Sequence, residues 1–107
     1  MNPIIEAKKP EIIALCRQYG VSKLDLFGSA TGPNWNPEHS DFDFVVEFAD
    51  GRTRILRRFV AFADGLETLL DRRVDVVFDR SLRPRFRAVI DPQRVNVYES
   101  DYGRTAA

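Results

Sequence analysis

One cysteine in 107 residues, Cys16, leaves no partner for an internal disulfide, which fits a reducing cytoplasm. No apolar run approaches the roughly 20 residues of a membrane-spanning helix, and 30% of the chain is charged, so a membrane protein is excluded. The first residues, Met1 to Glu6, lack a basic segment followed by a long apolar one and are not expected to act as a secretory signal. Net charge is also missing: 16 basic residues balance 16 acidic ones, which argues against nucleic-acid binding driven by bulk charge. There is no internal repeat and no low-complexity segment. At 107 residues the chain has room for one domain and no second, since the usual domain is roughly 100–150 residues.

What is present is a hydrophobic fraction of 44%, enough for a core, arranged in short periodic segments. Pro10 suits the first turn of a helix, where its missing N–H costs nothing. Ile12, Ile13, Leu15, Cys16 and Tyr19 continue it as a stripe until Gly20 stops it. Residues 2–8 are read as a separate, shorter helix. Cys16 lies on the stripe and is read as a core residue, not a nucleophile. Lys23 to Phe27 alternates as a strand, and 31–40 is a loop rich in Gly, Pro, Asn and Ser. Trp35 in that loop is read as packing over it, with a lid or nucleotide contact as the alternative. His39 is read as a surface group rather than a general base.

Asp41 to Phe48 is the clearest strand. Phe42, Phe44, Val46 and Phe48 share one face; Asp41, Asp43, Val45 and Glu47 share the other. A turn is expected at Ala49-Asp50-Gly51, then a helix over 53–71 on the stripe Ile55, Phe59, Phe62, Leu66 and Leu69 or Leu70. Gly65 inside it should cost about 1 kcal/mol relative to alanine. Val74 to Phe78 is a third strand, Pro84 to Ile90 a short helix and Val95 to Tyr98 a fourth strand. The expected fold class is α/β (α+β): a mixed sheet of about four strands with helices mainly on one face, as a single domain over 1–98 with a polar tail over 99–107.

The chemistry belongs on the other face. Asp41 and Asp43, two apart on one strand, point the same way, roughly 6–7 Å apart along the chain. Asp75 sits mid-strand in Val74-Asp75-Val76-Val77. Aspartate is a poor strand former. Each alone is well explained by a wet sheet face, but three together would repel, and a bound divalent cation removes that conflict. Magnesium takes hard oxygen ligands, one or two carboxylates per ion, and completes its shell with water and phosphate oxygens. Gly28-Ser29, at the exit of the first strand, is a plain turn or a phosphate cradle, since glycine admits close backbone approach and free N–H groups hold anions.

Leu26-Phe27-Gly28-Ser29, then Ser40-Asp41-Phe42-Asp43-Phe44, then Arg73-Val74-Asp75-Val76-Val77, resembles the minimal nucleotidyltransferase family of the polymerase-beta-like superfamily, over nearly the whole chain. The resemblance implies that Asp41, Asp43 and Asp75 are catalytic and hold one or two magnesium ions, and that Gly28, Ser29 and Ser40 bind the nucleotide. It implies transfer of a nucleoside monophosphate, AMP from ATP, to an acceptor hydroxyl. The chain has no residues for an acceptor domain, so the acceptor is expected on a partner or a second copy. Within the family that points to an antitoxin paired with a small helical toxin of the HEPN family. A non-catalytic partner-binding module and an oligomeric enzyme with a small-molecule acceptor remain alternatives. In one respect the sequence departs from the family: Ala30-Thr31-Gly32 carries no arginine after Gly-Ser. A replacement cation is sought in the cluster Arg52, Arg54, Arg57 and Arg58. That cluster and a second, Arg80, Arg83, Arg85 and Arg87, read otherwise as solvated helix faces.

Overall fold

A computed structural model describes residues 1–49 and 54–100. The turn expected at Ala49-Asp50-Gly51, residues Arg52 and Thr53, and residues 101–107 of the tail fall wholly or partly outside that range.

The chain opens with one long helix, α1 (Pro3–Tyr19), not two. Asn2 starts it: its side-chain oxygen accepts the Ile4 N–H at 3.0 Å, and Pro3 takes the first helical position. Pro10 therefore sits inside the helix. A second proline in a favourable sequence context imitated a helix start. Its ring is exposed, so what the helix loses there is one backbone hydrogen bond on its wet side. The buried stripe runs through it unbroken as Ile5, Ile12 and Cys16. Gly20, at φ 74°, closes the helix in the left-handed conformation that glycine adopts without strain.

β1 (Val21–Phe27) follows directly, two residues longer than its alternation suggested. A single 3₁₀ turn, Gly28–Thr31, and the loop lead to β2 (Phe42–Phe48). Next come α2 (Ile55–Leu70), β3 (Val74–Phe78), the short α3 (Pro84–Ile90) and β4 (Val95–Glu99). The sheet has four strands in the order β3-β2-β1-β4. β1 is antiparallel to both β2 and β4, while β2 and β3 are parallel, joined by α2 as a crossover. The mixed sheet expected from the sequence is the one observed.

α1 and α2 pack on one face. Ile5, Ile12 and Cys16 from α1, Phe62, Leu66 and Leu70 from α2, and Leu24, Leu26, Phe42, Phe44 and Val46 from the strands form one core. Burial of these apolar side chains is the main stabilising term. Burial also pushes the Cys16 thiol up to about 12, so it stays protonated and unreactive. Gly65 is the close-approach point of the two helices: a Cβ there would stand 3.0 Å from a Leu15 methyl. The opposite face of the sheet is less wet than its pattern implied. Val45 is buried on it, outside the main core; Ile90, the buried residue of α3, is also no part of that core.

Candidate active site

The pleat of β2 decides what reaches this second face. Phe42, Phe44 and Val46 go to the core, so Asp43, Val45 and Glu47 go to the other side. The parallel register of β2 and β3 sets Asp43 beside Asp75, and the antiparallel register of β1 sets Phe27 opposite Asp43. Asp41 immediately precedes β2 and is half-buried. Asp43 and Asp75 thus meet at one end of the sheet, with Asp41 near enough for its charge to act on Asp43. The Asp43 carboxyl is raised to about 6, first by burial, then by the charge of Asp75, a hydrogen bond with Asp75, and the charge of Asp41.

Gly28 closes the site from β1. It has φ 76°, and a Cβ built on it would lie 2.5 Å from Asp43 Oδ2. Two separate demands, a left-handed backbone and a carboxylate against the α-carbon, therefore call for glycine at the same residue. The turn it opens is tightened by Thr31, whose hydroxyl donates to the Gly28 carbonyl at 2.7 Å. Ser29 is exposed at the head of that turn. The Ser40 hydroxyl accepts the Asn36 N–H at 3.1 Å, closing the loop just before Asp41.

Trp35 packs, as expected: it stacks on Phe42 with ring centroids 5.0 Å apart. Its indole N–H also donates to the Asp41 carbonyl at 3.3 Å. The Arg72 guanidinium lies 5.0 Å from the Trp35 ring centre and donates to the Pro37 carbonyl at 2.7 Å. The loop is therefore held down at the approach to Asp41. His39 is an exposed loop residue.

Of that cluster, Arg52 lies outside the described residues, and Arg58 does not serve this site. Arg58 lies 5.1 Å over the Phe48 ring, at the end of β2 that pairs with Val21. Asp43 is five residues away along that strand, or about 17 Å. The helix starts beyond the far end of β2, which is why the expectation fails.

A second charged group on this face escaped the sequence reading. Asp25, buried in β1, accepts from Arg94 Nε at 2.8 Å and from Asn96 at 2.9 Å. Arg94 Nη1 also donates to Asp79 at 2.8 Å and Asp91 at 3.1 Å, and Arg87 donates to Asp79 at 3.2 Å. Burial alone would raise Asp79, but the bonds from Arg87 and Arg94 outweigh it and hold its carboxyl below the usual range. For Arg94 burial works against the charge, yet Asp79, Asp25 and Asp91 raise its pKa further. One signal was available: Asp25 stands between Leu24 and Leu26 in a strand, as anomalous as Asp75. Its partner 69 residues later was not legible.

Among the described residues, no group of three or more His, Cys, Asp or Glu side chains stands close enough together to hold a metal ion. The donor chemistry still suits a hard divalent ion. Asp43 and Asp75 are in contact, and Asp41 adds to the same negative potential. All the acids offer carboxylate oxygens, and like charge keeps them from closing further unaided.

The profile of the nucleotidyltransferase domain matches residues 12–100. The chain belongs to the nucleotidyltransferase family. The domain is 34% identical over 89 residues to a candidate protein adenylyltransferase of Methanocaldococcus jannaschii, covering 83% of this chain and 92% of that one. It superposes with TM-score 0.70 on a candidate minimal nucleotidyltransferase, at 33% identity over 84% of this chain and 89% of the other. It also superposes with TM-score 0.66 on a chain of a toxin–antitoxin solved with AMP-PNP, at 28% identity over 89% and 76% of the two chains. The nucleotidyltransferase is thus of the minimal type, and no helix among its described residues is long and apolar enough to cross a membrane.

Proposed function

We propose that this nucleotidyltransferase moves AMP from ATP to a hydroxyl on a partner protein, a small helical toxin of the HEPN kind, with Asp41, Asp43 and Asp75 holding magnesium. The observation that carries the reading is the contact of Asp43 with Asp75 beside the Cβ-less Gly28. A pair of carboxylates forced together is costly without a cation, and the missing side chain at Gly28 is what lets the Asp43 carboxylate lie against the turn. The name of the Methanocaldococcus relative supports adenylyl transfer, and the toxin–antitoxin solved with AMP-PNP supports the nucleotide and a toxin as the partner.

Bound divalent ions would neutralise the triphosphate and make an acceptor hydroxyl easier to deprotonate. Within the chain, Asp43 on β2 and Asp41 just before it stand on the triphosphate side with Gly28, Ser29 and Ser40. Asp75 arrives on the neighbouring strand and is exposed, so it is the carboxylate best placed to take the acceptor proton. The acceptor oxygen bonds to the α-phosphorus, the bond from that phosphorus to the bridging oxygen breaks, and pyrophosphate leaves.

A non-catalytic docking module has one observation in its favour: Ala30-Thr31-Gly32 brings no arginine to the turn. Labelled ATP, magnesium and the partner separate the two readings. The wild type should label the partner, while Asp75→Asn should still bind nucleotide and transfer about 10²–10⁴-fold more slowly. A wild type that never transfers label, yet neutralises its partner as well as Asp75→Asn does, is a docking module.

A further inference from the structure

The Gly28 N–H does not point to open solvent: it donates to the side-chain oxygen of Gln93 at 3.0 Å, across 65 residues of sequence. Gln93 ends the short turn Asp91–Gln93 that leads into β4. The next residue, Arg94, ties that turn to Asp25, Asp79 and Asp91. The side chain is exposed, but it is delivered from an anchored backbone.

A carboxamide has two ends. Only its oxygen can accept, so the bond to Gly28 fixes which end faces the turn and leaves both N–H groups of the nitrogen to be used elsewhere. That nitrogen shares a carbon with the bonded oxygen, so it stays at the turn that borders Asp43. Two neutral donors there would serve an anionic oxygen, and the Ala30-Thr31-Gly32 stretch supplies none of the expected positive charge.

We propose that Gln93 is a nucleotide-contacting residue, its oxygen holding the Gly28 N–H while its nitrogen donates to the triphosphate. The inference rests on the reading of the Gly28 turn as the triphosphate site. A residue that merely braced Gly28 would need only an acceptor, and that difference provides the test. Gln93→Glu keeps the acceptor and replaces the donors with a like charge; Gln93→Met removes both functions at similar length. Calorimetric titration of the full chain with magnesium and ATP compares both with the wild type and with Asp43→Asn, thermal midpoints being recorded alongside. Both Gln93 variants should keep the wild-type midpoint and bind about 10–100-fold more weakly, the range of a hydrogen bond to a charged group. Equal or tighter binding by Gln93→Glu would reduce Gln93 to a brace and overturn the proposal. Wild type and Asp43→Asn binding alike would overturn the site reading itself, and Gln93 with it.

Discussion

Asp43 and Asp75 stand side by side across the parallel strands β2 and β3, close enough to share a hydrogen bond, and the Asp43 carboxyl titrates at about 6. Its folded value lies above the ordinary 3.8, so the folded state holds the proton more tightly than the unfolded one. The stability this group contributes is present below about 4 and is lost as pH rises through 6. In chelator, Asp43→Asn should therefore match the wild type near pH 4 and gain on it up to about pH 6, levelling at about 1–2 kcal/mol once solvent screening is allowed for. Urea melts at several pH values measure this. Added magnesium and ATP should reverse the order, because only the wild type gains binding free energy.

Gly28→Ala tests the close approach. The new methyl must displace the Asp43 carboxylate, since the ideal Cβ position lies 2.5 Å from it, and the left-handed backbone adds about 1–2 kcal/mol of strain. The variant should fold with a lowered melting midpoint but lose about 10²-fold in transfer, the usual effect of misplacing a reacting group by about 1 Å. Equal losses of stability and activity for Gly28→Ala and Gly32→Ala, where the nearest contact is an ordinary 3.8 Å, would contradict the geometric argument.

Arg94 holds a buried acid. Its removal in Arg94→Met leaves Asp25 with Asn96 and a Lys23 ammonium at 3.9 Å. The expected cost is about 2–4 kcal/mol at pH 7, at the lower side of what breaking a buried pair costs. Asp79, held below the usual carboxylate range, contributes stability that is present above about pH 4 and lost as pH falls through its lowered value. The deficit of Arg94→Met should accordingly shrink in acid. Chemical denaturation at pH 7 and below checks both parts.

Pro10→Ala should stabilise the protein. Proline in a helix interior costs about 3 kcal/mol relative to alanine, the site is exposed, and nothing in the core depends on the ring. Part of the gain is offset because proline also restricts the unfolded chain. A rise of about 1–2 kcal/mol in denaturant melts is expected, with no change in nucleotide binding.

The sequence made the strands and the acids legible because both follow short-range rules. Alternation around Phe42 and Phe44 fixed the direction of Asp43, and the anomaly of aspartate within Val74-Asp75-Val76 pointed to Asp75. What it concealed depended on distant parts of the chain. The bonds of Gly28 to Gln93 and of Asp25 to Arg94 join the start of the sheet to its end. Pro10 misled for a local reason: a helix-start residue was taken as decisive while Asn2, a better one, stood eight residues earlier. Arg58 misled because closeness in sequence to β2 means closeness to its far end.

The bond from the Trp35 indole to the Asp41 carbonyl has a use in the laboratory. Trp35 is the chain's one tryptophan, so the intrinsic fluorescence excited at the red edge of protein absorption comes from a ring joined to the backbone of an acid of the site. Binding of magnesium at the proposed carboxylates is expected to change the intensity or emission wavelength of that fluorescence, which a titration without label or acceptor would read at concentrations far below those that calorimetry needs.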